Sequence, residues 1–533
     1  MKIKKVYIDD WMEFKPYDKH SSTDLYYMKI ANEVQLAIQS SEYIDQLYDY
    51  FDEEDIVNLS CFLTSYFEDI ISETNVWNSF VSLHNKKYNK LLPFYDTSDY
   101  IENEINVQDI RLLFWYFFNA TLEDGFVSPY INLFESVALN VFDVFDAAWE
   151  YAPENNALKS CYYIKNEIEE FYDARKYIDL VLFKTYLFFP DSKKELLQAE
   201  EEIYLERRDF MEIKFQLDLQ RDEIIHNTKT KLLAIQGKEW AAEIVGGQNL
   251  VNMVVWGFSQ KITGFFLYKG QDNLSVMLEY IATGTKFNIT KKSFDVSFDD
   301  DPIDSVFFIG IVMWKNEWWF SGVMAKYGVT PKIVESEKTN IESKIKLNFL
   351  NVENHKIKEI LQDQVKSFKL FNNGCEVAFL KSSEVNQFVN SFMQFYNESL
   401  HLNETQKQQT KNRFKKNGLD ENDFNLSLED TEDEVLVFIN PNSGVEIVFN
   451  LNSAFPMPNN PFFKDELSEK HIKLLLMGNT SSIELVNFLV SNYKEDIPYF
   501  KHGLGKKYLE DFDFLLRFWK GEKYYSKPVL SVV

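Results

Sequence analysis

Residues 221–227 read RDEIIHN, which places Arg221 five positions ahead of His226 with the carboxylate of Asp222 between them. Cutting RNA without a metal requires a base to activate the 2′-hydroxyl, an acid for the leaving oxygen, and a cation to hold the phosphate as charge builds. Histidine titrates where those proton transfers are needed, and arginine grips phosphate with two parallel N–H groups. The same residues also suit a plain structural role. Asp218 stands three positions before Arg221 and Asp222 four before His226, the spacings at which side chains pair along a helix. On a continuous helix, positions five apart diverge by about 140°, so Arg221 and His226 converge only through a bend, a helix start or a second chain.

The pattern formed by Arg221, Asp222 and His226 resembles the R-polar-x3-H signature of HEPN nucleases, over six residues of the chain. The resemblance implies an all-α bundle around the motif, metal-independent endoribonuclease activity, and an active site usually assembled across a dimer. A second candidate is the hairpin MWKNEWWFSG, where Trp314, Trp318 and Trp319 flank a turn and would stack on bases or sugar rings. Consecutive strand residues face opposite sides, so Trp318 and Trp319 cannot share one platform, and one of them is expected in the core. The acidic run SFDDDPIDS, with Asp299, Asp300, Asp301 and Asp304, lacks the ligand spacing of an EF-hand and reads as a solvated loop. GLGKKY at 503–508 is not a phosphate-binding Walker loop, and HExxH, GxSxG and GxGxxG are absent from the sequence.

Composition narrows what such sites would act on. The 533 residues carry 83 acidic and 56 basic side chains, a net charge of −27. A surface this acidic repels nucleic acid and anionic membrane, so any nucleic-acid site must be a local basic patch. Only seven of the basic residues are Arg, which leaves few groups suited to bidentate phosphate binding. Aromatic residues reach 16%, which predicts a core dense in rings. The three cysteines, Cys61, Cys161 and Cys375, lie far apart, which excludes a disulfide framework and a CxxC metal knuckle. The N-terminal stretch has no signal-peptide apolar run, and no segment reaches the roughly 18 apolar residues of a membrane helix. The expectation is a cytoplasmic protein without metal, cofactor or membrane association.

From Ser22 to about Ile235 the apolar spacing is helical. STDLYYMKIANEVQLAI opens with Ser22 or Thr23 as a cap candidate, and turn signals at LPFYDTSD, EDGF, APENN and FPDSKKE separate successive helices. Between Lys193 and Ala234 two periods compete. Leu196, Ile203, Phe210, Leu217 and Ile224 recur every seven residues, whereas Met211, Ile213, Phe215, Leu217 and Leu219 alternate as in a strand. Helix is favoured, because Glu, Lys, Leu and Gln dominate and β-branched residues are few. After Gly246 the period changes to short alternating or wholly apolar runs. KITGFFLYKG, LSVMLEYI, TKFNIT, SVFFIGIVMW and WWFSGVMAKY predict five strands of a small antiparallel, SH3-like barrel. In the second run Leu274, Val276, Leu278 and Tyr280 are expected on one face.

Beyond Val329 the pattern is mixed. FKLFNNGCEVAFL reads as a hairpin turning at Asn372–Gly374, feeding the helix SSEVNQFVNSFMQFYNESL, and EVLVFINPNSGVEIVFNL reads as a second hairpin. Both contain G-x-E-aliphatic-x-Phe, at Gly374–Phe379 and Gly444–Phe449, either a degenerate duplication or two ordinary hairpins. The polar stretch 403–434 reads as an exposed connector, and Ser481 with Glu484 matches a capping box.

The segments WMEFKPYDKHSSTDLYYMKIANEV and LLRFWKGEKYYSKPVLSVV are similar to the ends of an uncharacterised family of long bacterial proteins, which implies a cytosolic bacterial protein but no reaction. The fold class expected is multidomain α+β. It comprises an all-α domain over 1–235, a small antiparallel barrel over 250–330, and an α+β domain over 340–533. The function expected is that of a non-enzymatic binding or scaffold protein with a protein or nucleic-acid partner, its oligomeric state open. The alternative is a HEPN-like nuclease acting through Arg221 and His226.

Overall fold

The computed structural model describes residues 4–122, 125–164, 168, 170–206, 209–246, 258–259, 261–347, 354–400, 433–464, 471, 475–476, 478 and 481–525. Contacts divide the chain into two units, Met1–Thr330 and Pro331–Val533. The first begins with helices α1 (Ile8–Met12), α2 (Ser22–Gln39), α3 (Ile44–Tyr48), α4 (Glu53–Ser72), α5 (Val76–Tyr88) and α6 (Val107–Thr121). It continues with α7 (Asn132–Ala148), α8 (Asn156–Tyr162), α9 (Phe171–Lys184), α10 (Lys194–Glu206), α11 (Phe210–Asn227) and α12 (Gly237–Val245).

A helix buried on every side must be mostly apolar and must satisfy its polar groups internally, and α4 and α6 are of this kind. Burial is almost unbroken from Ile56 to Ile70 and from Asp109 to Ala120. Their rings carry much of the aromatic excess: Phe67 stacks on Phe145 at 4.7 Å, Phe51 on Phe118 at 4.7 Å, and Phe114 meets Phe134 edge-on at 4.9 Å. Inside α4, Ser60 and Thr64 return their hydroxyls to the carbonyls of Ile56 and Ser60, so these polar groups are satisfied without leaving the helix. The cap of α2 is Ser21, one residue before the candidates Ser22 and Thr23. Its Oγ accepts from the Asp24 N–H at 3.3 Å while Asp24 accepts from the Ser21 N–H at 2.7 Å. The stretch from 193 to 234 is mainly helical, α10 and α11 forming a hairpin with Asp209 capping the second helix.

Five strands follow, β1 (Ile262–Gln271), β2 (Ser275–Tyr280), β3 (Thr285–Thr290), β4 (Val306–Trp314) and β5 (Glu317–Gly328), closing into a barrel of order β1-β2-β3-β5-β4. Positive φ at Gly284 and at Lys315–Asn316 forms the two tight turns, β2 to β3 and β4 to β5. The barrel is mixed rather than wholly antiparallel, because β3 closes on β5 through one parallel pairing, Ile289 with Trp318. Val276, Leu278 and Tyr280 share the buried face of β2, but Leu274 precedes the strand and is exposed.

The second unit contains α13 (Pro331–Thr339), α14 (Ile341–Ile345), α15 (Asn354–Phe371), β6 (Val377–Lys381), α16 (Ser382–Ser399), β7 (Glu434–Asn440) and β8 (Gly444–Phe449). It ends in α17 (Ile483–Tyr493), α18 (Gly503–Glu510) and α19 (Phe512–Lys520). FKLFNNGCEVAFL is not a hairpin: FKLF ends α15, and the turn at Asn373 and Gly374, both at positive φ, leads from helix to strand. The two G-x-E stretches therefore feed β6 and β8, which pair antiparallel on opposite sides of β7. α15 and α16 cover one face of this sheet, with Phe368, Val385, Val389 and Phe392 against Val435, Val437 and Ile439. The connector expected over 403–434 lies almost entirely outside the described residues.

One close approach in the barrel is specific enough to test. A Cβ at Gly264 on β1 would stand 2.7 Å from the ring of Tyr280, which is fully buried. Gly264→Ala is expected to lower stability by about 1–3 kcal/mol, read as a shift in the urea midpoint followed by tryptophan fluorescence.

Candidate functional site

Arg221 and His226 both lie on α11, and the fold gives them separate partners. The Arg221 guanidinium makes a two-pronged ion pair with Asp179 of α9, Nε to Oδ1 at 2.6 Å and Nη2 to Oδ2 at 2.9 Å, and lies over the Phe183 ring. Asp179 thus takes the role that the sequence offers to Asp218. His226 is 2% exposed and stacks on Phe258 at 4.5 Å between ring centroids. Its Nδ1 is 3.4 Å from the Ser259 carbonyl and its Nε2 is 3.6 Å from Asp222 Oδ1. Because α11 is unbroken from Phe210 to Asn227, positions 221 and 226 stay about 140° apart around its axis.

Asp222 is the centre of the cluster that receives His226. Its Oδ1 accepts from Arg175 Nε of α9 at 3.0 Å, and its Oδ2 faces Lys261 Nζ, next to β1, at 2.6 Å and accepts from Ser321 Oγ of β5 at 2.8 Å. Room for this arrangement depends on Gly310 of β4, where a Cβ would stand 2.3 Å from Ser321 Oγ and 2.7 Å from Lys261 Cε. Burial pushes the Asp222 carboxyl up, but His226, Lys261 and Arg175 outweigh it and hold the group below the usual carboxylate range. Burial pushes His226 down to about 4 against the pull of Asp222, with Lys261 and Arg175 adding to the fall. The imidazole is therefore neutral near pH 7 and walled off from water, while Asp222 stays charged.

The tryptophans of the β4–β5 hairpin are committed to the same junction. Trp314 and Trp319 are buried, Trp314 edge-on to Phe171 at 6.3 Å and Trp319 edge-on to Tyr172 at 6.3 Å. The Tyr172 hydroxyl donates to the carbonyl of Ser293 or of Phe320, at 2.8 and 3.0 Å. Trp318 faces the other way, half-buried and edge-on to Phe287 at 5.0 Å. In the acidic loop, Asp301 pairs with Lys326, Asp304 with Lys269 at 2.7 Å, and Asp299 accepts from Gln271 at 2.8 Å. Among the described residues no group of three or more His, Cys, Asp or Glu is placed to hold a metal ion.

Three features escaped sequence reasoning. In the first, Trp11, Lys15, Tyr17 and Asp24 of the quoted N-terminal segment converge with Glu68 and Asn155. Lys15 pairs with Glu68 beneath the Trp11 ring, Tyr17 Oη donates to Asp24 Oδ1 at 2.8 Å, and Asn155 Nδ2 reaches Glu68 Oε1 at 2.8 Å. Burial pushes the Glu68 carboxyl up, opposed by Lys15. In the second, Lys520 Nζ donates to Ser481 Oγ at 2.6 Å and to the Ser481 carbonyl at 2.7 Å. Burial, with Lys523 adding to it, pushes Lys520 down to about 7. A serine beside such a lysine has the parts of a nucleophile and base, but Ser481 is fully buried and its carbonyl shares the ammonium, as in a tether between α19 and the start of α17. The cap of α17 is the next residue, Ser482, which accepts from the Leu485 N–H at 3.0 Å.

The third feature faces outward. Only Leu196 of α10 is buried, whereas Leu197, Tyr204 and Leu205 are 51%, 59% and 80% exposed. At the start of α11, Phe210 and Met211 are 74% and 71% exposed. The seven-residue repeat is no guide to this face: Leu196 is buried and Ile203 and Leu217 are half-buried, but Phe210, a member of the same repeat, is among the most exposed.

Fold and sites together define a multidomain α+β protein whose polar clusters face inward and whose helical hairpin displays apolar side chains. Residues 5–271 match the DUF3843 family, a family of unknown function, and the chain belongs to it. The match includes the N-terminal segment quoted above but not the C-terminal one. No curated protein and no solved structure matches the chain. No helix among the described residues is long and apolar enough to cross a membrane.

Two measurements probe the Asp222 cluster. Asp222→Ala leaves Lys261 and Arg175 without their counter-charge, and is expected to cost about 3–5 kcal/mol in urea denaturation. For His226 the folded value near 4 lies below the ordinary 6.5, so between those values the unfolded chain takes up a proton that the folded chain refuses. Stability contributed by neutral His226 is therefore complete above about pH 6.5 and falls toward pH 4, by on the order of 2–3 kcal/mol. Denaturation curves between pH 7.5 and 4.5 should show a steeper acid loss for the native chain than for His226→Gln; parallel curves would remove histidine as the cause.

Proposed function

We propose that this is a non-enzymatic cytoplasmic binding or scaffold protein, and that it engages a protein partner through the tip of the α10–α11 hairpin. The observation that carries the reading is the gathering of Leu205, Phe210 and Met211, each more than two-thirds exposed, within seven residues of one hairpin. Exposed apolar residues gathered together mark interaction sites, whereas scattered ones need no explanation. A protein partner is favoured over nucleic acid because the net charge is −27 and, along the hairpin sequence, Glu200, Glu201, Glu202, Glu206 and Asp209 outnumber Arg207 and Arg208. The barrel tryptophans are poorly placed for the same task, since Trp314 and Trp319 are buried against α9.

The competing nuclease reading retains the residue types of Arg221 and His226 but has against it the Asp179 ion pair and the burial of the imidazole. Metal-free RNA cleavage by the purified chain, lost in both Arg221→Ala and His226→Ala, would replace the binding reading. For the binding reading itself, the full chain and a Leu205→Ser/Phe210→Ser variant are used as bait under identical conditions. Proteins retained by the native chain are expected to fall at least about tenfold with the variant, a loss of roughly 1.4 kcal/mol or more. An unchanged set of captured proteins, or none with either bait, would count against the hairpin.

A further inference from the structure

Building on the binding reading of the α10–α11 hairpin, we infer that its occupant is a basic amphipathic helix of a partner protein, laid along the outer face of α10 as the third helix of a bundle. On α10 Leu196 is buried and Ile203 half-buried, while Leu197, Glu201, Tyr204 and Leu205, all exposed, follow one another at i, i+4, i+7 and i+8. Leu197, Tyr204 and Leu205 hold three positions of such a helix-packing stripe, and Glu201 holds the fourth. α10 has 13 residues, enough for about 20 Å of contact, or three to four turns of a partner helix.

The sign of the partner follows from Glu201. This exposed carboxylate stands within the stripe, one turn after Leu197 and one turn before Leu205, and exposed Glu202 and Glu206 border it. A helix that covered Leu197, Tyr204 and Leu205 would draw Glu201 out of water, and a desolvated carboxylate without a cation is strongly unfavourable. Glu201, Glu202 and Glu206, with Glu200 beside them, outnumber Arg207 and Arg208, the two residues that follow α10 in sequence, so the partner brings Lys or Arg at the rim of its own apolar stripe. An anionic lipid surface has the wrong sign, and the same face of a second copy presents the same carboxylates.

The test uses the full chain and two labelled helical peptides of about 14 residues, one Leu/Lys and one Leu/Glu, followed by fluorescence anisotropy. The Leu/Lys peptide is expected to bind and the Leu/Glu peptide not to. Binding should fall at least tenfold in Tyr204→Ser/Leu205→Ser, and at least threefold in Glu201→Gln, each substitution lying at an exposed position that leaves the fold intact. Equal binding of the two peptides overturns the charge assignment. Leu/Lys binding that Tyr204→Ser/Leu205→Ser leaves unchanged overturns the site, because the peptide would then be coating the acidic surface at large. Sedimentation of the native chain as a dimer that Leu205→Ser dissociates would assign the face to a second copy and overturn the inference. If the peptides fail while capture of proteins still depends on Leu205 and Phe210, the partner chemistry named here falls and the binding reading stands.

Discussion

A carboxylate sealed from water between helices and a β-barrel must be met by cations from both sides, and Asp222 sets that requirement for the first unit. A lone buried charge of this kind is costly by several kcal/mol. Arg175 reaches it from α9, while Lys261 and Ser321 reach it from the barrel. None of these groups is close in sequence to α11, so the cluster is complete only when the helical hairpin, α9 and the barrel are docked together. Around it the contacts become apolar and aromatic, with Phe171, Phe258, Trp314 and Trp319 filling the junction. The polar centre selects one docking and the rings supply the area. The residue types that suggest phosphate chemistry serve that docking: His226 lines the cluster as a neutral ring, and Arg221 ties α11 to α9 through Asp179.

The same use of charge recurs elsewhere in the protein. Lys15 and Glu68 hold the N-terminal segment against α4, and Asp24 serves both as part of the α2 cap and as acceptor for Tyr17 and Trp11. Lys520 ties α19 to the residues just before α17 in the second unit. Each cluster joins residues distant in sequence, and in each the central group, Asp222, Glu68 or Lys520, is buried. Inward-facing polar groups of this sort confer a unique packing more readily than they confer catalysis, and they leave the exposed apolar hairpin as the part of the surface that stands apart.

Much of the architecture was legible because it rests on local period. The helical spacing of the N-terminal region, the alternation in β2 and the turn at Gly284 all carry their structure in their spacing. The helical nature of 193–234 followed from residue preference even where a strand period competed. FKLFNNGCEVAFL was misleading for a physical reason: the positive-φ pair Asn373–Gly374 suits a helix end as well as a hairpin, and only packing of Phe368 on the sheet decides between them. The clusters were hardest to see. Nothing in the spacing of Asp222 to Lys261 and Ser321, or of Ser481 to Lys520, announces their contact, because strand register and helix docking bring them together. The mixed closure of the barrel was hidden likewise, since it depends on one pairing between strands separated by β4.

That closure has a consequence for how the barrel holds together. β5 is fastened to the helices through Ser321 and Trp319, and β4 is paired to β5 along nearly its whole length. β2 and β3 are paired to each other over six residues, yet β3 meets β5 at a single pairing. The barrel is thus unequal around its circumference, a fixed wall on the helical side and a two-stranded leaf hinged along β1. At that seam the single pairing is backed from just past β3, where Ser293 Oγ accepts from the Phe320 N–H at 3.1 Å and its carbonyl lies 2.8 Å from the Tyr172 hydroxyl, so the leaf is latched to the fixed wall at one corner and not along an edge.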